Sequence, residues 1–280
     1  VPSVRPTSGP VFEASDGRLI QPRNFLSEAW RSRPLLAYWF RRNLIARYRQ
    51  TTLGPLLVVL LPVLSSLVYG FVFSLLLRVQ TDVPYVLFAM TNLSLWMYTT
   101  RSLQTGPANL LSNIDLVTRA RFPREFLPLG VWGESIVDLF VALALMAVIA
   151  LMFGITPGPA IVMAPVVFIV HSMLTVGLMF IVAAVGIRVR DLGYLLPIAL
   201  QLALYLAPIL YPIDLIPEEW RFWYMLNPFA AIFGAYQEAF YQDRFTLTTE
   251  LGVAAAVAIV ALVFGYRLFK RQEWLLADQL

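Results

Sequence analysis

Few side chains in this sequence can do chemistry, and their spacing suits electrostatics better than bond-making. Arg101, Glu134 and Asp138 stand inside long apolar stretches. An ionised group in such surroundings is costly, so it pairs or serves a pathway. His171 is the single histidine and Lys270 the single lysine. No cysteine is present, which excludes disulfides and thiolate chemistry without identifying a compartment. One histidine is too few for HExxH or a His-rich metal site. No GxSxG elbow occurs. Lys270 lacks the preceding glycines of a Walker A loop. The chain is therefore expected to have no catalytic residue, no metal and no P-loop nucleotide site of its own.

The segments that must hold these groups are apolar. Hydrophobic residues make up 59% of the 280, mean hydropathy is +0.71, and residues 54–77 and 139–187 carry no charge. A crossing helix needs about 20 apolar residues, so the second run suffices for two. The pattern predicts an all-α membrane protein with six transmembrane helices, over 54–77, 84–110, 126–153, 159–187, 193–211 and 250–269. Most of the 21 Lys and Arg fall before the first span, between the second and third, between the fourth and fifth, or after the sixth. The positive-inside rule makes that side, with both termini, cytoplasmic. The other side carries Asp82, Asp214, Glu218, Glu219, Glu238, Asp243 and Glu250 against Arg78, Arg221 and Arg244. The sequence pI of about 9.5 is thus a property of the inner face, and nucleic acid is not an expected partner.

At about 1.5 Å per residue, Arg101 in the second span lies at the depth of Glu134 in the third. Asp138 lies somewhat deeper. An Arg101–Glu134 pair with Asp138 as second partner is predicted. It either locks the two spans together or lines a pathway. His171, midway along the fourth span, is read as a hydrogen bonder between helices before a proton relay.

Four regions outside the spans stand out. Residues 1–24 have no apolar core, hence no cleavable signal peptide, and read as a flexible cytoplasmic arm. Within 25–53, the stretch 34–50 (PLLAYWFRRNLIARYRQ) combines Trp39 and aliphatic residues with Arg41, Arg42, Arg47 and Arg49. That composition fits an amphipathic helix in the inner headgroup layer, as a basic anchor or as a partner contact. Residues 54–280 form the six-helix domain with a cytoplasmic tail. Between the second and third spans, SNIDLVTRARFPRE (112–125) sets Ile114, Asp115, Leu116 and Val117 beside Arg119, Arg121 and Arg124. It suits docking to a partner, apolar centre within polar rim, or lying on anionic lipid. Outside, 218–241 reads as a re-entrant helix pair turning at Asn227-Pro228, too short to span. Its Trp220, Trp223, Tyr224 and Tyr236 suit an interfacial aromatic belt or a lid over a pathway.

At this point the sequence resembles a known family, the membrane-spanning (permease) subunit of ABC exporters for cell-surface polysaccharides such as O-antigen, teichoic acid and galactan. Three stretches carry the resemblance: FRRNLIARYRQTTLGPLLVVLLPV (40–63), NIDLVTRARFPREFLP (113–128) and RVRDLGYLLPIALQLALYLAPILYPIDLIPEEWRFWYMLNP (188–228). The resemblance implies a homodimer in the bacterial inner (plasma) membrane, paired with two copies of a separate ATPase that binds ATP and Mg. It implies a polyprenyl-diphosphate-linked glycan as cargo. It makes 112–125 a coupling helix, 34–50 an interface helix beside the ATPase, and 218–241 an outer gate. Tyr85, Phe88, Trp96, Tyr98 and Tyr205 are the nominated lining residues of a channel between protomers. The Arg-rich, Lys-poor composition leans toward a galactan-type polymer. The arm before residue 25 is longer than the family's pattern needs. The competing readings are an ion-gradient-driven solute carrier without an ATPase and a membrane transferase acting on lipid-linked sugars. The latter would need an acidic cluster with metal-ligand spacing.

Overall fold

The computed structural model describes residues 40–41, 54–113, 123–189, 191–244 and 248–272, with the backbone alone over 54–59. Every regular element among the described residues is helical. The helices are α1 (Gly54–Tyr69), α2 (Tyr85–Ser112), α3 (Phe126–Met152), α4 (Ala164–Gly186), α5 (Leu192–Tyr205), α6 (Glu218–Met225), α7 (Pro228–Gln237) and α8 (Thr249–Gln272). A π-helix, Gly70–Leu76, prolongs α1; a 3-10 turn, Pro159–Met163, leads into α4; and a π turn, Glu238–Gln242, follows α7. Each of the six expected spans overlaps a helix, although the fifth, 193–211, is helical only as far as Tyr205. Among the described residues, Phe126–Met152, Pro159–Gly186 and Thr249–Gln272 are long and apolar enough to cross a membrane, and Leu60–Leu76 and Leu192–Tyr205 are shorter apolar helices. The arm 1–24, Trp39, Arg42, Arg47 and Arg49, and the coupling residues Ile114, Asp115, Leu116, Val117, Arg119 and Arg121, lie outside the described residues.

Local chemistry ends the helices where they end. After the π-helix, Arg78 takes a left-handed φ of 54°. The next amide, Val79, reaches back to the Phe73 carbonyl at 2.8 Å, a seven-residue closure that satisfies an otherwise orphaned acceptor. Gly154 likewise ends α3, with φ 72° and Ile155 N–H on the Ala150 carbonyl at 2.9 Å. Asp243, also left-handed at φ 49°, accepts the Ala160 amide on Oδ1 at 2.8 Å. It thereby caps the 3-10 turn and ties the α7–α8 connection to the start of α4.

The two closest-packed helices are α4 and α8. A Cβ added at Gly177 would meet the Ala261–Leu262 backbone, and one added at Gly265 would overlap the Gly177 carbonyl. Ala254, Ala258 and Gly265 are the buried small residues of that α8 face. Small residues let backbones touch, which is how helices gain contact energy where no hydrophobic force drives them together. Helix α2 fills the centre, touching α1, α3, α4 and α5. Most of its length is buried, so it need not be apolar. Its buried hydroxyls bond back one turn, Ser94 to the Met90 carbonyl at 2.6 Å and Ser102 to that of Tyr98 at 2.7 Å. One hydrophobic core runs along α2. A smaller one gathers Leu110, Leu127, Phe180 and Phe269, joining α2, α3, α4 and α8 at the end expected to face the cytoplasm.

The glycine contact yields a direct expectation. Gly177→Leu or Gly265→Leu should destabilise the detergent-purified chain by about 3 kcal/mol or more. Gly193→Ala, where a methyl meets open space, should change the melting temperature little.

Candidate functional site

The intramembrane charges meet. On α2, Arg101 donates through one terminal nitrogen to Glu134 Oε2 at 3.2 Å and through the other to Asp138 Oδ2, both on α3. Glu134 and Asp138 are four residues apart and so share a helix face. Glu134 is buried and Arg101 half-buried. One residue before Glu134, Gly133 leaves the space that the Phe40 ring approaches. The described remnant of the interface region, Phe40 and the exposed Arg41, is helical and so lies against α3 beside this charge cluster.

Next along α2 is a buried polar and aromatic group. The Thr99 hydroxyl and His171 Nε2 are 2.7 Å apart, joining α2 to α4. Rings of Tyr98, Phe229, Phe233 and Tyr236 surround the imidazole. Tyr98 donates to Ser172 Oγ at 3.0 Å and accepts from Trp132 Nε1 at 2.6 Å. Of the nominated lining rings, Tyr85, Phe88, Trp96 and Tyr98 all belong to this core. Sequence position alone set them on a pathway, whereas packing sets them inside the protomer. Tyr205 alone of the five is exposed, at 49%, and its hydroxyl is the electrostatic neighbour of Tyr69 on α1.

The end expected to face outside contains an unwound segment that the sequence reading did not anticipate. Helix α5 stops at Tyr205, and residues 207–210 remain buried without being helical. Four backbone carbonyls between Tyr205 and Leu210 find side-chain donors. Tyr211 OH donates to the Tyr205 carbonyl at 2.7 Å and Asn227 Nδ2 to that of Leu206 at 3.0 Å. Gln237 Nε2 donates to the Pro208 carbonyl at 3.0 Å and Tyr85 OH to that of Leu210 at 2.6 Å. Irregular backbone at membrane depth is tolerated where protein covers it. Since the Tyr211 proton is spent on Tyr205, Tyr224 OH is the donor across the 3.1 Å contact to Tyr211 OH.

The nominated gate residues thus divide. Asn227 holds the end of α5 and also accepts the Phe229 amide at 3.1 Å, capping α7. Tyr224 holds the same segment through Tyr211. Tyr236 is buried against His171, and Trp220 and Trp223 are exposed. Gln237 and Tyr211 were missed. Their only sequence signal was proximity to Asn227 and to the proline-rich stretch after α5, where unpaired carbonyls are expected.

Residues 35–241 match the family described as ABC-2 type transporter. The chain belongs to the ABC-2 transporter membrane family. Three similar ABC-2 proteins are each called "O-antigen export system permease protein RfbA". One, from Myxococcus xanthus, is 32% identical over 88% of this chain and 96% of its own length. Two from Klebsiella pneumoniae are 27% and 25% identical, each over 87% of this chain and 94% of their own length. As an ABC-2 protein with several long apolar helices, the chain is a multi-pass membrane protein.

Two expectations follow from the geometry. Arg101→Ala and Glu134→Ala should each destabilise the chain, and the double variant should fall short of their sum by about 1–3 kcal/mol, read as a double-mutant cycle in detergent. On the outer face, burial raises the Glu238 carboxyl above its ordinary range, with Arg244 opposing and Glu250 adding to the rise. Ionising an acid with a raised value costs stability. The cost is absent below the ordinary value near about 4.3 and complete above the raised one. Glu238→Gln should therefore raise the melting temperature at about pH 7 and leave it unchanged at about pH 4.

Proposed function

We propose that this chain is the channel-forming membrane subunit of an ABC exporter. It moves a lipid-linked cell-surface polysaccharide from the cytoplasmic to the outer side of the bacterial plasma membrane, and a separate ATPase powers it. The observation that carries this reading is the similarity over 88% of the chain to an O-antigen export permease. The cargo is a glycan on a polyprenyl diphosphate, and the complex contains two copies of this chain and two of the ATPase.

The packing supports a second copy. Leu61, Leu64, Leu67 and Val68 on α1 are exposed. So are Leu195, Ile198 and Leu202 on α5, which makes few contacts within the protomer. The Tyr69–Tyr205 neighbourhood brings these two faces together. In a dimer they cover each other and leave between them a passage edged by Tyr205. Six crossings, with both termini cytoplasmic, agree with the arginine distribution. Helix α5 has 14 residues, about 21 Å, and its unwound continuation extends it toward the outer surface. The segment 112–125 is the contact with the ATPase, 34–50 lies beside it, and the α6–α7 pair is the exit gate.

The test is a mild-detergent pull-down of the tagged chain from its native membranes, with an ATPase assay on the eluate. A co-purifying nucleotide-binding subunit with vanadate-sensitive turnover is expected. Asp115→Arg should then cut glycan export about tenfold or more while the chain still inserts. A folded chain that elutes alone, and drives export in liposomes without nucleotide, would replace this reading with the ion-gradient carrier.

A further inference from the structure

Lys270 is the only lysine among 21 basic side chains, and it is used in a particular place. It sits in the last turn of α8 and donates to Glu125 Oε2 at 2.8 Å across 145 residues of sequence. Glu125 is the final residue of SNIDLVTRARFPRE and the residue on which α3 begins. It is buried, at 5% exposure, although it lies at the end of the bundle where water is near. A buried carboxylate needs a partner, and α8 supplies it. The Lys270 ammonium also stands 5.9 Å from the centre of the Tyr266 ring.

Both ends of the 112–125 segment are anchored on the same body. At its start, Asn113 Nδ2 donates to the Asn109 carbonyl and to its side-chain oxygen, each at 2.8 Å. Asn109 Nδ2 in turn reaches the Leu127 carbonyl at 3.3 Å, closing the base of the segment. Leu110 and Leu127 flank it and are packed in one core with Phe180 and Phe269, whose rings are 5.2 Å apart. At its end stands Glu125, bonded to α8. The α4–α8 contact at Gly177 and Gly265 is backbone on backbone, with no side-chain cushion to absorb a displacement. Helices α1 and α5 share little surface with α8.

We propose that the Lys270–Glu125 ion pair is the strut that carries displacement of the 112–125 segment into α8 and, through the glycine contact, into α4. This role rests on the exporter reading above. The α2–α3–α4–α8 body then moves against α1 and α5, the helices whose exposed faces edge the passage. Lys270 is a positioning residue: it touches neither glycan nor nucleotide. Its charge matters because a neutral side chain would leave Glu125 buried without compensation and would let the segment move without the helix.

The experiment uses the full complex in liposomes and measures melting temperature, ATP turnover and glycan exported per ATP hydrolysed. Lys270→Gln should leave ATP turnover within about twofold and lower export per ATP about fivefold or more. Lys270→Arg should restore it. The exchanged pair, Glu125→Lys with Lys270→Glu, should recover export per ATP relative to Lys270→Glu alone, at an unchanged melting temperature. Unchanged export per ATP in Lys270→Gln would overturn the strut while leaving the exporter reading intact, and so would a folded Lys270→Arg as defective as Lys270→Gln. If Lys270→Gln does not fold, the arginine variant and the exchanged pair decide: either one folded but uncoupled overturns the proposal. Wild-type export that ignores nucleotide would overturn the exporter reading first, and the strut with it.

Discussion

The hydrocarbon layer offers no water, so each polar group placed at membrane depth must find its partner within the protein. Most of this structure is a response to that constraint. Helix α2 carries Thr91, Ser94, Thr99, Arg101 and Ser102, and it is the helix that its neighbours enclose. Arg101 finds two carboxylates on α3. His171 finds Thr99. Where α5 unwinds, four backbone carbonyls find a tyrosine, an asparagine, a glutamine and a second tyrosine. The exposed apolar surfaces are left to α1, α3, α5 and α8, whose sequences contain little that needs a partner over their apolar lengths.

The same constraint separates rigid from adjustable parts. The α4–α8 pair is held by backbone contact, and α2 and α3 are fastened to each other by charge. These four helices share two cores and leave little room for internal rearrangement, since packed interiors transmit strain instead of absorbing it. By contrast, α1 and α5 present long apolar faces with little covering them. The unwound end of α5 is held by side chains from three directions, so its position depends on α2, α6 and α7 together.

Several features were legible in the linear sequence. The spans were, because a run such as 139–187 has no charge and only a helix satisfies its backbone in lipid. So was the depth match of Arg101 with Glu134, since it follows from the rise per residue of a helix. The resemblance to polysaccharide-export permeases rested on 40–63, 113–128 and 188–228, and family membership agrees with it.

Other features depended on which helices touch. Tyr85, Phe88, Trp96 and Tyr98 could face a passage or a core, and nothing in their spacing distinguishes the two, because helical periodicity reports a face but not what covers it. Packing buried them. Gln237 and Tyr211 took on roles only once the end of α5 unwound beside them. Gly177 and Gly265 are 88 residues apart in the chain and acquire meaning only where two backbones cross. Glu125 and Lys270 likewise read as an ordinary acid and an ordinary tail lysine until α8 returns to the start of α3. The sequence determined the segments, their polarity and their depth, since those depend on local composition against a fixed bilayer thickness. The tertiary structure decided partners, because a contact between distant residues is a property of the packed chain and of no segment alone.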